Sequence, residues 1–414
     1  MLTEANPTDL VSSRSLTTDV VVVGAGIVGS LVTYGLARQG LRVALVEAQS
    51  PAAVLKRDRA YALTLAAADL LEQLGLWETL LPRIQPFQEI QLSDTALPKS
   101  VRLLPKDLQR SQSLGYVAEH RVLLETLYEQ FESLPNLTWL PSTQLLEVNL
   151  DTHQATLLLE RDGIQQQWQS QLVVAADGPN SPLREACGIR RDGWAYWQSC
   201  LTAVVGLERS HQGVAQECFR KSGPFAVLPL PGDRAQIVWT APHAQAQQLR
   251  DLPESEFLQQ LRQPFGDRYG QLRLLSDRRI FPVQLRQSRR YVQHRLALVG
   301  DAAHCCHPVG GQGLNLGIQD AGALIETLTS DRRRRKDLGR LSLLQRYERR
   351  RKRETWLILG FTDLLDRLFS NHFWPLVQLR RLGLWLLRHV PLLRTLALKV
   401  MTGQWVQRIQ LKSH

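Results

Sequence analysis

Apolar and polar positions first fall into a clear pattern at Asp19-Val20-Val21-Val22-Val23, a β-branched run that stops at Gly24 and reads as a fully buried parallel strand. From Ile27 the apolar positions take helical spacing as far as Gln39, Gly40 closes that helix, and Leu41–Glu47 reads as a second strand. The three make one strand–helix–strand unit. Ala60–Leu80, with Leu63, Leu65, Leu70, Leu71, Leu74 and Leu80, predicts a helix; a second helix follows around Val122–Phe131, then strands near Thr138–Asn149 and Gln154–Glu160. Between Ser199 and Val283 the pattern turns to strands, at Cys200–Gly206, Ala226–Leu230 and Gln236–Thr240, and only Glu254–Arg262 is clearly helical. Leu296–Val299 is again a buried strand and Gln312–Leu328 a helix. From Leu341 onward the chain is helical in pattern and rich in Leu, Trp and Arg. A strand-rich block between two α/β blocks predicts a sheet domain inserted into a dinucleotide fold.

Composition narrows the class. A chain of 414 residues allows two or three domains, and 44% hydrophobic with 21% charged residues excludes a mainly disordered or fibrous protein. The net charge of +11 is concentrated: from Asp331 onward, 20 basic and 6 acidic residues give +14, against −3 for the preceding 330 positions. Any electrostatic partner is therefore sought at the basic end. Five cysteines, irregularly spaced, do not make a disulfide framework and point to a reducing compartment. The first eighteen residues lack the pattern of a secretory signal, and no apolar run reaches about 18 residues, so a cytoplasmic or membrane-surface location is expected.

Gly24-Ala25-Gly26-Ile27-Val28-Gly29 is a G-x-G-x-x-G turn between a strand and a helix, with Glu47 ending the next strand. The glycines allow a tight turn and close backbone approach to a pyrophosphate, the helix start offers free N–H groups, and Glu47 can accept hydrogen bonds from a ribose. The motif alone is equally an ordinary glycine turn; its context favours a dinucleotide without separating NAD from FAD. Two later segments separate them: Val173–Arg184, a strand followed by the turn Asp177-Gly178, and Arg295–Asp320, a strand ending at Gly300-Asp301 followed by a glycine-rich helix start at Gly311-Gln312-Gly313. A strand-end carboxylate suits ribitol hydroxyls, and a helix start suits an electron-rich isoalloxazine edge.

With these three motifs in this order, the chain resembles the group A flavoprotein monooxygenases. Within that group it is similar to the ubiquinone-biosynthesis flavin hydroxylases, through Arg59-Ala60-Tyr61-Ala62-Leu63-Thr64, Gly223–Leu230, Gly300-Asp301-Ala302-Ala303-His304 and Gly311–Gly317. Leu368-Phe369-Ser370-Asn371 and Arg380–Leu384 extend the likeness, which covers about residues 18–405. The resemblance implies an α/β fold, with a Rossmann-like FAD-binding domain from 18–198 and 281–345, an inserted β-sheet substrate domain over 199–280, a basic helical region over 346–414 and a tail over 1–17. It implies that Gly24, Gly26 and Gly29 approach the pyrophosphate and that Glu47 holds the adenosine ribose. Arg59 and Arg121 are placed as basic FAD contacts, Asp301 on the ribitol, and Gly313, Leu314 and Asn315 by the flavin ring. Asp177 is associated with both FAD and NAD(P)H. The implied reaction is hydroxylation of a hydrophobic aromatic ring, such as a polyprenylated phenol, by a flavin C4a-hydroperoxide formed with NAD(P)H and O2. No acid–base residue stands out for it. Two other readings keep the cofactor: an epoxidase or reductase of a terpenoid lipid, and a non-catalytic FAD-binding member of a quinone-biosynthesis complex.

Several features carry competing readings. In Ala303-His304-Cys305-Cys306-His307-Pro308 the family usually has hydroxylic or small residues in place of the cysteines; adjacent cysteines suit a tetrahedral metal poorly, so no metal site is expected, and the loop reads as a cover over the flavin. Trp194, Tyr196, Trp197, Phe219, Phe225 and Trp239 are core residues or, together, walls of an aromatic pocket. In Leu376–His389 a helical wheel groups Arg380, Arg381 and Arg388 against an arc of Leu376, Leu379, Leu382, Leu386 and Leu387. That pattern suits either attachment to anionic lipid at the inner membrane face or a helical cap with a solvated basic face. Arg332–Lys336 is one basic run, but no nucleic-acid fold motif accompanies it, and nucleic acid is not an expected partner.

Overall fold

The structure, a computed structural model, describes residues 16–94, 100–109, 112–220, 222–330, 337–369, 373–404 and 409–411. The tail to residue 15, the basic run at 332–336 and positions 370, 371 and 405 lie outside the described residues.

Five parallel strands form the heart of the first sheet. Leu16–Val23 lies between Val43–Val46 and the end of Ile164–Ala175, with Leu137–Leu140 and Leu296–Leu298 beyond them. The valine run suits this central place because both faces are covered: Val20, Val21 and Val22 are fully buried. The helices Ile27–Arg38 and Gln312–Thr329 pack on each other, and His120–Phe131 packs on the first of them. The register pairs Val23 with Val46 and with Ala175, and Ala175 with Leu298. The residues that follow, at Gly24, Glu47, Ala176 and Val299, therefore line one carboxyl edge, and the three sequence motifs meet there.

The second sheet runs in the order His304–Cys305, Arg279–Ser288, Arg191–Leu207, Arg234–Pro242, Phe225–Leu230, Val214–Phe219, Glu89–Asp94, Val101–Leu103, with Leu272–Leu274 beside Arg191–Leu207. Glu89–Asp94 pairs in parallel with Val214–Phe219, so strands far apart in sequence share this sheet. On one face Phe225, Trp239, Phe257, Phe265 and Tyr269 form a core under the helices His243–Asp251 and Glu254–Phe265. The first of those helices follows Pro242 and its polar composition conceals it in sequence. A small sheet of Ala60–Leu63, Gly115–Glu119 and Gln85–Phe87 packs against Phe225–Leu230 of the second sheet and against the helix Gln312–Thr329.

Three sequence expectations change. The strand near Thr138–Asn149 is two, Leu137–Leu140 in the parallel sheet and Gln144–Leu150 antiparallel to Ala155–Arg161. Ala60–Leu80 is not one helix: Ala60–Leu63 is a strand paired with Gly115–Glu119, and helices cover Leu65–Gln73 and Trp77–Leu80. The break falls at Thr64, whose Oγ1 caps the helix by accepting from Ala67 N at 3.3 Å. In Trp374–His389 the grouped arginines do not form one solvated face. Arg380 is buried, 2.9 Å from the Asp94 carboxylate and donating to Phe369 O, and Leu384 is buried with it. Leu379, Leu382 and Trp385 face outward instead.

Candidate active site

The glycine turn begins on Gly24, at φ 103°, where a Cβ would lie 2.4 Å from Ala176 O. At Gly29 a Cβ would lie 1.9 Å from Gly24 O, so any other residue would push the helix off the turn. Gly26 heads the helix with no side-chain cap, and a Cβ there would meet nothing within 4 Å. The first-turn N–H groups thus open on free space at the positive end of the helix. Glu47 reaches back to this turn, its Oε2 accepting from Ala25 N at 2.8 Å and its Oε1 from Gln49 N at 2.9 Å. A cradle that excludes side chains and presents backbone donors fits the pyrophosphate and ribose of a dinucleotide.

The other two turns are tied together by Arg184, which is buried and donates to Pro179 O and Ala302 O, both at 3.2 Å. In the first, Asp177 Oδ2 accepts from Leu183 N at 3.1 Å while Oδ1 is buried with no hydrogen bond within 3.5 Å among the described residues; burial raises this carboxyl above its ordinary range, against the opposing pull of nearby Ser181. In the second, Asp301 opens on the cleft, yet the surrounding walls displace bulk water and raise its carboxyl, a tendency that the Arg59 guanidinium opposes. Arg59 is also stacked near Tyr61 and Phe281, with its guanidinium carbon 5.1 and 4.7 Å from the ring centroids. Arg59 and Asp301 are therefore brought together. Arg121 is not: it lies exposed on its helix, paired with Glu125.

At the start of Gln312–Thr329, Gly313 and Leu314 are half-buried and Asn315 is buried. Asn315 Oδ1 accepts from Thr64 N at 2.8 Å and from Thr64 Oγ1 at 3.1 Å, and its Nδ2 donates to Ala62 O and Gly311 O. All of its hydrogen-bonding capacity is spent on joining the strand Ala60–Leu63 to the helix start.

Sequence reasoning missed the group that holds the Gly-Asp turn from behind. Asp320 Oδ2 accepts from Gly300 N at 2.9 Å and lies 2.6 Å from His304 Nε2, while Oδ1 accepts from Arg351 Nε at 2.6 Å. Burial alone would raise the Asp320 carboxyl, but His304 and Arg351 overcome it and hold it below the ordinary range. An aspartate beside the apolar stretch Ala321–Ile325 was the available signal. His307, beside Asp366 at 3.4 Å and against the Tyr196 ring, is held neutral by burial, which lowers it to about 4.

An apolar pocket opens between the segment leading into Gln312–Thr329 and the second sheet. Leu63, Phe87, Ile90, Leu114, Leu228 and Val238 line it, together with Gly310 and Gly311 from the helix start and Met401 and Thr402 from the C-terminal end. None of the six aromatic residues singled out in the sequence lines it: Phe225 and Trp239 are core, Phe219 stacks on Phe369, Tyr196 packs on His307, and Trp194 and Trp197 are exposed. Its charged lining residue is Glu217, on the strand Val214–Phe219.

Comparison with known proteins places this geometry. Residues 17–362 match the profile of a family described as FAD binding domain. The chain is 38% identical over 371 residues to the ubiquinone hydroxylase UbiL of Rhodospirillum rubrum, covering 88% of this chain and 85% of that protein. It is 32% identical over 391 residues to the 3-demethoxyubiquinol 3-hydroxylase of Escherichia coli, covering 93% and 98%. In fold it is similar to the p-nitrophenol 4-monooxygenase PnpA of Pseudomonas putida, with a TM-score of 0.79 at 20% identity over 94% of this chain and 99% of that one. The glycine cradle, the carboxyl-edge turns and these similarities along nearly the whole chain lead to one conclusion: this protein belongs to the FAD-binding-domain family, among its flavin-dependent hydroxylases.

Proposed function

We propose that this chain hydroxylates the aromatic ring of a polyprenylated phenol in quinone biosynthesis, using FAD, NAD(P)H and O2. The observation that carries the reading is the apolar pocket walled by Gly310 and Gly311 at one side and by the second sheet at another. Bound FAD would relay the electrons of NAD(P)H and supply the oxygen-activating ring system. The chain's part is to hold and to exclude. Gly24, Gly26 and Gly29 admit the pyrophosphate, Glu47 takes the adenosine ribose, and Asp301 takes the ribitol, with Arg59 beside it. Asn315 fixes Gly311 against Ala62, which keeps the helix start, with Gly313 and Leu314, at a constant place beside the pocket. Leu63, Phe87 and Leu228 keep water from the reacting ring.

The C-terminal helices support a second part of the proposal, contact with an anionic membrane surface. Among the described residues no helix is long and apolar enough to cross a membrane. Trp374, Trp385, Leu392 and Leu396 are nevertheless 55–75% exposed, with Arg388 and Lys399 exposed among them. Tryptophan and leucine beside basic residues suit the headgroup boundary, and the same segment ends at Met401 and Thr402 on the pocket. A lipid-dissolved substrate would enter by that route.

The test is product analysis. Purified FAD-loaded enzyme given NADPH, O2 and a prenylphenol is expected to add one oxygen to the ring; oxidation of a squalene-like lipid in place of the phenol would replace this reading with epoxidation.

A further inference from the structure

The pocket lining is polar at four places besides its glycines, and three of them are engaged. Thr64 Oγ1 donates to Asn315 Oδ1 and accepts from Ala67 N, Gln216 Nε2 donates to Gln91 Oε1 at 3.2 Å, and Thr402 Oγ1 donates to Leu398 O at 2.7 Å. The fourth, Glu217, has no hydrogen bond or ion pair among the described residues. It shares a strand face with Ala215 and Phe219, and its cross-strand partners are Leu92 and Ala226. Packing alone would favour an apolar residue at this half-buried place, since a polar group withdrawn from water without a partner costs up to about 1–3 kcal/mol. A carboxyl kept at such a place is matched to something that enters the pocket.

We propose that Glu217 receives the ring hydroxyl of the substrate, so that the pocket selects a free phenol over the same ring with its oxygen capped. This rests on the reading of the pocket as the site of an aromatic ring. Burial pushes the Glu217 carboxyl up to about 8, so near neutrality it can both donate and accept, as a phenolic hydroxyl does. Anchored there, the hydroxyl sets which ring carbon turns toward the Gly310–Gly311 wall. Glu217 is thus a determinant of specificity as well as of binding.

The test titrates the FAD-loaded full chain with 4-hexylphenol and with its methyl ether, 1-hexyl-4-methoxybenzene, by calorimetry. Wild type is expected to prefer the phenol about tenfold, the worth of one hydrogen bond to such a group. In Glu217→Leu the two ligands should bind alike, and Glu217→Gln, which keeps a donor and an acceptor, should restore part of the preference. FAD content and unfolding temperature confirm that each variant is folded, and Glu217→Ala serves if Leu does not fold. Equal binding of both ligands by wild type, or a phenol preference that survives in Glu217→Leu and Glu217→Ala, overturns the assignment while leaving the pocket an aromatic site. Binding of neither ligand by wild type overturns the aromatic reading and this assignment with it.

Discussion

Behind the Gly-Asp turn and on the floor of the pocket, the fold withdraws a carboxyl from bulk water, with opposite results. Asp320 meets Gly300 N, His304 and Arg351, and stays ionised because both of its oxygens have close donors, two of them able to carry positive charge. Glu217 lies between Leu92 and Ala226 on the pocket wall with no donor among the described residues, and desolvation lifts it to about 8. One region is finished without a ligand; the other is left incomplete. Burial alone therefore does not decide what an acidic residue does in this protein. The number of donors around it does, and a shortage of donors marks where a ligand belongs.

The comparison breaks most visibly at Arg351. Arg351→Ala leaves Asp320 charged and short of a partner, and denaturant unfolding should show a loss of about 3–5 kcal/mol. Because Asp320 has a depressed pKa in the fold, its contribution is present above the unfolded aspartate value near 3.9 and is lost as pH falls through the lower folded value. Acid unfolding of wild type followed by circular dichroism should therefore steepen below about pH 4.

Glu217 should behave in the opposite sense. Its folded pKa is raised, so its cost is absent below the unfolded glutamate value of about 4.3, grows as pH rises toward 8, and then levels off. Glu217→Gln should match wild type near pH 4.5 and exceed it by roughly 1–3 kcal/mol at pH 9, measured by urea midpoints. A pH-independent difference would break the comparison. A third change examines the backbone-built half of the site. Gly29→Ala forces a Cβ against Gly24 O, and at about 1–3 kcal/mol of overpacking FAD should bind roughly 5–150-fold more weakly in a fluorescence titration. The smallest effect is expected at the surface. Arg388→Ala and Lys399→Ala should each weaken binding to phosphatidylserine vesicles by up to about 1 kcal/mol in a sedimentation assay, with little effect on neutral vesicles.

Much of the nucleotide end was legible because its information is local. The valine run, the glycine turn and Glu47 occupy a single strand–helix–strand unit, and the Asp177 and Asp301 turns follow strands with the same buried pattern. The pocket was not legible, since its walls come from Leu63, Ile90, Leu114, Leu228 and Thr402, residues joined by no sequence period. The aromatic residues left two readings open, core or pocket wall, because large rings fill cores as readily as they line sites; Phe225 and Trp239 are core. The C-terminal wheel misled for a related reason. It treats arginine as outward-facing, whereas the buried Asp94 supplies a partner that draws Arg380 inward and leaves Leu379, Leu382 and Trp385 outside.

By itself, then, the sequence determined the α/β class, the order of the cofactor turns and the basic end, since each depends on neighbouring residues and backbone geometry. Only the tertiary structure decided which charges are satisfied. Arg351 reaches Asp320 across 31 positions, and Glu217 has no ion pair among the described residues although the chain is rich in arginine. Hydrogen bonding and desolvation act over a few ångströms of space, and separation along the chain does not disclose who the neighbours will be.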